Sequence, residues 1–290
     1  MPSTTSFEKM GYAQKQRLTF IELIAYWEGR IDRSRVVSEF GVSPNHVTKD
    51  FRHYKKAFPQ NLQYDVSART YRPAPDFKPQ IGTGVPEEYL GLLKAKAGQR
   101  DGNLISSLLS GVESDTVPFP NGKIDGDVLK ALTRAISSGT GLQITYQSQN
   151  RALPIPRKIW PHALVFNGLR WHARAYDLEH GKFIDLVLQR ILDAAAVNEP
   201  IPVEVEEDAG WTTLVTIDVI PRRSLSAEQA ETIAREYGMT KRGEDWVWSV
   251  RLRECLAGYF IYLHRLDIMQ DNRRAIELLD ISLAEKYIIV

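Results

Sequence analysis

Residues 170–176 read RWHARAY and set three potential cations at alternate positions. As a β-strand, this stretch places Arg170, His172, Arg174 and Tyr176 on one face and Trp171, Ala173 and Ala175 on the other, because successive side chains alternate. Residues two apart on a strand sit roughly 6.5–7 Å apart. With His172 protonated, like charges at that spacing repel by about 2–3 kcal/mol at an effective dielectric near 20. Such crowding calls for a counter-charge. One source is internal, since Asp177, Glu179 and Asp185 are close in sequence and would pair the arginines as on many edge strands. The other is an external anion, because arginine forks match carboxylate and phosphate geometry. Trp171, on the opposite face, is expected in the core rather than as a stacking platform for a base.

A second polar set follows Ser43-Pro44, a serine cap with proline at the first helical position. Val47, Phe51, Tyr54 and Phe58 recur at spacings of four, three and four, which makes them the buried stripe of a helix. Asn45, His46, Thr48, Lys49, Arg52, His53, Lys55 and Lys56 stand outside that stripe. In the major groove of B-DNA, Asn pairs with adenine and Arg with guanine, while Lys and Thr anchor phosphates. An ordinary solvated helix carries the same residue types, so the neighbouring elements decide. Residues 13–28 read as a helix with Leu18, Ile21, Ile24 and Trp27 on one face, residues 33–40 as a second helix, and Gly41-Val42-Ser43 as a tight turn. Residues 61–72 alternate as a β-hairpin with Arg69 near its tip. Helix, short glycine turn, helix and hairpin make a winged helix-turn-helix. Its expected DNA contacts are Ser43, Asn45, His46, Thr48, Lys49, Arg52, Lys56 and Arg69.

These elements sit in a chain of 290 residues, long enough for two or three domains with a modest core each. No run approaches the roughly 18 apolar residues of a membrane span, and the opening MPSTTSFEKMGYAQKQR lacks an apolar signal segment, so a cytoplasmic protein is expected. The single cysteine, Cys255, excludes an intramolecular disulfide and a cysteine-rich zinc site. Its apolar neighbours make it a plain buried thiol. The six histidines lack carboxylate or thiol partners at ligand spacing, so neither metal nor cofactor is expected. There is no GxSxG elbow and no GxxxxGK[ST] loop, which leaves an enzyme without footing. The net charge of +1 hides a gradient: +5 over residues 1–75, −2 over 76–118, +4 over 119–198 and −6 over 199–290. A basic head on an acidic body fits a unit that grips a polyanion.

Two joints, residues 73–86 with four prolines and residues 113–122, divide the chain. The expected domains are a DNA-binding domain at 1–75, a linker with a helix at 76–122, a sensor domain at 123–200 and a dimerisation domain at 211–290. In the linker, residues 86–111 read as helical, with Leu90, Leu93, Leu104, Leu108 and Leu109 as apolar contacts. The middle block opens with a capped helix at 125–138 and continues with strands at 142–148 and 158–166. The pair Asn167-Gly168 then signals a type I′ hairpin turn into RWHARAY, and a further strand follows at 183–190. Several short antiparallel strands within about fifty residues suggest a small SH3- or Sm-like barrel. The last block reads as a βαβ-like unit with Ser226 capping its first helix. Its second helix, from Cys255, is apolar nearly all round and must be covered by its own domain or by a second copy of the chain. The fold class is multidomain α+β.

The winged helix-turn-helix, the segments YQS (146–148), PHALVFNGLRWHARAY (161–176) and LQRI (188–191), and the acidic α/β tail together resemble the bacterial WYL-domain transcription regulators over nearly the whole chain. The likeness is to the subgroup that accompanies phage-defence islands of the BREX and CBASS kind. The eponymous Trp-Tyr-Leu is Trp171-His172-Ala173 here. The resemblance implies a homodimeric DNA-binding regulator, often a repressor on a palindromic operator, whose barrel senses a nucleotide or nucleic-acid fragment. It puts Tyr146, Ser148, His162, Arg170, Arg174 and Arg190 at the pocket positions, with His172 in the tyrosine place and no catalytic role. Hydroxyls and arginine forks converging from several strands suit a phosphate. The competing reading is an RNA- or single-strand-binding module with no dedicated promoter.

Overall fold

The computed structural model describes residues 10–97, 112–118, 120, 122–197, 199–268 and 274–287. The chain divides into two units, Met1–Pro118 and Phe119–Val290.

The first unit holds α1 (Tyr12–Glu28), α2 (Arg33–Phe40), α3 (Pro44–Ala57), the hairpin β1 (Leu62–Asp65) and β2 (Thr70–Pro73), and α4 (Pro86–Ala97). Gly29 and Gly41 end α1 and α2 at φ 72° and 59°, a left-handed turn that glycine makes without a Cβ penalty. Leu18, Ile21 and Ile24 of α1 meet Val36 of α2 and Val47, Phe51 and Tyr54 of α3 in one core. Phe51 stacks on Tyr71 of β2 with centroids 4.0 Å apart, which fastens the hairpin to α3. A buried acid, Glu22, accepts from the Tyr54 hydroxyl at 2.6 Å and from the backbone N–H groups of Ile81 and Gly82 at 2.8 Å each. That acid orders the proline-rich joint against α1. Leu90 is exposed, Leu93 is half-buried, and Leu104, Leu108 and Leu109 lie outside the described residues.

The second unit begins with α5 (Gly126–Ser138), capped by Asp125, which accepts from the N–H groups of Asp127 and Val128. The helix lays Val128, Leu132 and Ala135 on an antiparallel sheet of β3 (Gly141–Tyr146), β4 (Ile155–Phe166), β5 (Trp171–Asp177), β6 (Lys182–Val187) and β7 (Ile191–Val197). Strand order is β6-β5-β4-β3-β7. Among the described residues no pairing joins β6 to β7, so the sheet is open and the expected SH3- or Sm-like barrel is not closed. The helix α5 supplies the apolar cover that closure would otherwise provide. Ala173 and Ala175 lie in this core, but Trp171, expected with them, is 45% exposed at the hairpin end beside Phe166. Between Pro161 and Ala163 the β4–β5 register shifts, which makes His162 the extra residue of a bulge.

Next come α6 (Ala209–Thr212), β8 (Leu214–Pro221), α7 (Ala227–Glu236), β9 (Thr240–Arg242), β10 (Asp245–Arg253), α8 (Glu254–Leu263), β11 (Ile276–Leu278) and α9 (Ser282–Lys286). The sheet runs β11-β8-β10-β9 and is antiparallel. The expected βαβ-like unit is therefore corrected: β9 intervenes and its hairpin reverses β10 against β8. Ser226 and Gln229 form a capping box on α7. Ala257 and Ile261 of α8 enter the core of this sheet, whereas Tyr262 and Leu263 are 59% and 44% exposed. No helix among the described residues is long and apolar enough to cross a membrane.

Candidate nucleic-acid interface and anion site

Ser43 accepts from the His46 N–H at 3.3 Å and Pro44 opens α3, so the helix starts where its side-chain pattern requires. With Val47, Phe51 and Tyr54 turned inward, Asn45, His46, Lys49, Arg52 and Lys56 are exposed along the outer face. Thr48 is half-buried, and its hydroxyl donates to the Pro44 carbonyl at 2.9 Å. Among the described residues Lys49, Arg52 and Lys56 make no ion pair, which leaves them available to a polyanion. Arg69 is exposed at the hairpin tip with φ 52°.

The inner side of α3 holds a residue that periodicity alone did not mark. Asp50 is buried and accepts from Arg17 Nε at 2.6 Å and Nη2 at 3.3 Å, and from Gln14 at 3.2 Å. This pair locks α3 to α1. A rigid helix bearing unpaired cations can present them to phosphates and base edges without first ordering itself.

On β5 the cations turn inward. The Arg174 side chain donates from Nε to Asp208 Oδ2 at 2.8 Å and from Nη2 to Asp208 Oδ1 at 2.7 Å, a bidentate fork. Its Nη1 reaches Asp185 at 3.2 Å. His162, turned out by the bulge, places Nε2 2.9 Å from the same Asp208 Oδ2. Burial alone would raise the Asp208 carboxyl; hydrogen bonds from Arg174, and secondarily from His162, outweigh it and hold the group below the usual carboxylate range. Asp208 also accepts from the Trp211 N–H at 3.2 Å and so caps α6.

Beside this fork lies His172, only 2% exposed and packed on Tyr259 of α8 with centroids 5.4 Å apart. Its Nδ1 and the Arg170 Nε are buried without hydrogen-bond partners among the described residues. Burial pushes the His172 pKa down; the Asp185 carboxylate opposes this, and the positive charges of Arg170 and Arg190 add to it. Tyr259 hydrogen-bonds Asp185, and burial raises its pKa. Burial also lifts the Cys255 thiol to about 11, which keeps it protonated and unreactive at neutral pH.

The fold thus brings His162, Arg170, His172, Arg174 and Arg190 together on the buried face of β5 that is turned away from α5. Tyr146 and Ser148 are not brought to it. Tyr146 shares the parity of Leu142 and Ile144, so it is buried on the α5 face, where its hydroxyl accepts from the Val187 N–H at 3.3 Å. Ser148 accepts from the Asn150 N–H in the turn after β3. Of the acids near in sequence, Asp185 does meet Arg174. Asp177 instead pairs with Arg157 at 2.6 Å, and Glu179 with Arg151 at 2.8 Å. His180 joins Asp177 and Glu179 with their ligand atoms within 4.8 Å, a carboxylate partnership the histidine spacing did not suggest. Arg157 already balances that cluster. Asp208 lies 34 residues from Arg174, and its only local signal is the helix cap it provides.

Three family models match the chain: the BrxR transcriptional regulator winged helix-turn-helix domain at residues 13–95, the WYL domain at 127–196 and the BrxR transcriptional regulator C-terminal dimerization domain at 214–285. The chain is 32% identical to the DNA-binding transcriptional repressor CapW of Escherichia coli (strain KTE188) over 275 residues, covering 95% of this chain and 90% of that one. It is 32% identical to CapW of Stenotrophomonas maltophilia, covering 80% and 77%, and 30% identical to CapW of Pseudomonas aeruginosa, covering 94% and 90%. Among solved structures, the proteasome accessory factor B/C (PafBC) of Arthrobacter aurescens is matched at 14% identity and a TM-score of 0.27, over 95% of this chain and about half (52%) of its own length. At that score the likeness says nothing of function.

Proposed function

The chain belongs to the family of WYL-domain transcriptional repressors that CapW represents, and on that premise we propose that it is a homodimeric, ligand-responsive repressor of a phage-defence operon. Two copies of α3 sit on a palindromic operator, with Ser43, Asn45, His46, Thr48, Lys49, Arg52, Lys56 and the wing residue Arg69 as the contacts. The observation that carries this reading is the outer face of α3, where Lys49, Arg52 and Lys56 are exposed and, among the described residues, make no ion pair, on a helix locked from behind by Arg17 and Asp50. Positive side chains in that position neutralise phosphates and read base edges.

The middle domain is the sensor, and its ligand is an anion, a nucleotide or nucleic-acid fragment, held by Arg170, His172, Arg174 and Arg190 with His162 beside them. Support comes from the buried Arg170 Nε and His172 Nδ1, which have no hydrogen-bond partner among the described residues, since such groups cost stability unless a partner is supplied. The matched dimerization model at 214–285 supports the C-terminal sheet as the dimer contact. A ligand switches the protein only if it binds one state more tightly than the other.

Footprinting the intact protein on the promoter region of its own operon tests the reading. The expected result is a protected palindrome whose half-sites lie about one helical turn, 34–36 Å, or a multiple of it apart. Length-dependent binding to any single strand, with no protected palindrome, would contradict it.

A further inference from the structure

We infer that Asp208 is a built-in competitor for the anion site: its carboxylate fills the Arg174 fork, and an incoming phosphate must displace it and the helical turn that follows. The inference rests on reading the face of β5 turned away from α5 as an anion site. Its basis is geometric. Nε and Nη2 of Arg174 both point at Asp208, at 2.8 and 2.7 Å, so the bidentate edge a phosphate would use is already taken by the chain itself. His162 adds a third contact to the same carboxylate at 2.9 Å. The carboxylate comes not from the sheet but from the segment leading into the C-terminal domain.

That segment has two ends, and each is tied to something that matters. Asp208 caps α6 through the Trp211 N–H, and the Thr213 carbonyl accepts from the Glu254 N–H at 2.9 Å, at the start of α8. Arg253 donates to the Trp211 carbonyl and lays its guanidinium 4.0 Å from the centre of the Trp211 ring. Displacing Asp208 therefore pulls on the junction of β10 and α8, inside the region that matches the dimerization model. Gly210 marks how closely the turn is seated: a Cβ there would lie 2.9 Å from Arg174 Nη2 and 3.2 Å from the Cys255 Cβ. An anion and Asp208 cannot both hold the fork, so anion binding and the seated turn are alternatives, and the site reports its occupancy to the C-terminal domain.

Hydrogen–deuterium exchange on the full-length protein, with and without inorganic pyrophosphate, tests this in wild type, Asp208→Asn and Gly210→Ala. In wild type, pyrophosphate is expected to slow exchange across residues 170–174 and speed it across 209–213. Asp208→Asn should exchange fast at 209–213 without pyrophosphate and bind it about tenfold more tightly, because less of the protein is held in the closed state. Gly210→Ala, which presses on the fork without changing charge, should shift both readings the same way. Protection at 170–174 with unchanged exchange at 209–213, or no gain in affinity in Asp208→Asn, overturns the competitor and leaves the anion site standing. No protection at 170–174 in any of the three proteins removes the anion site itself, and the competitor with it.

Discussion

On α3 the cations stand outside the fold, while on β5 they stand inside it. Lys49, Arg52 and Lys56 are exposed and free of ion pairs among the described residues, whereas Arg174 is 8% exposed and touches two carboxylates. The difference follows from solvation. A cation left in water pays no desolvation and needs no partner, so it stays available to a large polyanion that arrives from outside. A cation taken out of water must be matched by buried acids, and any ligand there competes with those acids. On the proposed function, one surface serves affinity and the other exchange.

The contrast breaks first at Arg174. Replacing it by Ala leaves Asp208 and His162 facing each other without their cation, and the expected loss is about 3–5 kcal/mol of stability in the second unit. Differential scanning calorimetry reads this directly. Substituting Asp208 by Asn as well should recover part of the loss, because Asp185 is then the one carboxylate left without the Arg174 cation. If Arg174→Ala melts like wild type, the fork is not structurally coupled and the two surfaces are less different than their burial suggests.

Lys49→Ala sharpens the other side. An exposed phosphate contact should change stability by less than about 0.5 kcal/mol while weakening operator binding evenly across sequences. It should also lower the slope of affinity against salt by about 1. Anisotropy titrations at several salt concentrations give both numbers. A salt slope equal to that of wild type would place the phosphate contacts elsewhere.

A smaller effect concerns pH. His172 and His264 both have pKa values lowered by burial. Each takes up a proton more readily in the unfolded chain, so its contribution to stability is complete above about pH 6.5, the ordinary histidine value. That contribution is lost as pH falls from there through the folded value. The second unit should therefore melt earlier on mild acidification, and His172→Phe should flatten the slope. A slope unchanged by that substitution would show that His172 is not held neutral by burial.

What could be read from the sequence divides along the same line. The outer face of α3 follows from local periodicity, with Val47, Phe51 and Tyr54 fixing which residues point outward, and the caps and glycine turn needed no distant partner. The alternation of RWHARAY likewise separated Arg174 from Ala173. Asp208, 34 residues away, and Glu22, which ties down residues 81 and 82, were not legible, because their roles exist only once distant segments meet. Tyr146 misled for a related reason. A hydroxyl in the right strand says nothing of the face it takes, and its parity with Ile144 sends it to the α5 side. Trp171 shows the limit of alternation, which assigns a side of the sheet but not whether anything covers it there. The barrel stayed open because α5, read correctly as an amphipathic helix, does the covering that closure was expected to do.

Whether α3 reads the DNA is decided by the affinity of Arg52→Ala for the footprinted operator, measured by fluorescence anisotropy beside its melting temperature. Binding is expected to weaken by about 1–3 kcal/mol, with relaxed discrimination at one operator position and an unchanged melting temperature. Wild-type affinity in a fully folded Arg52→Ala protein would contradict it.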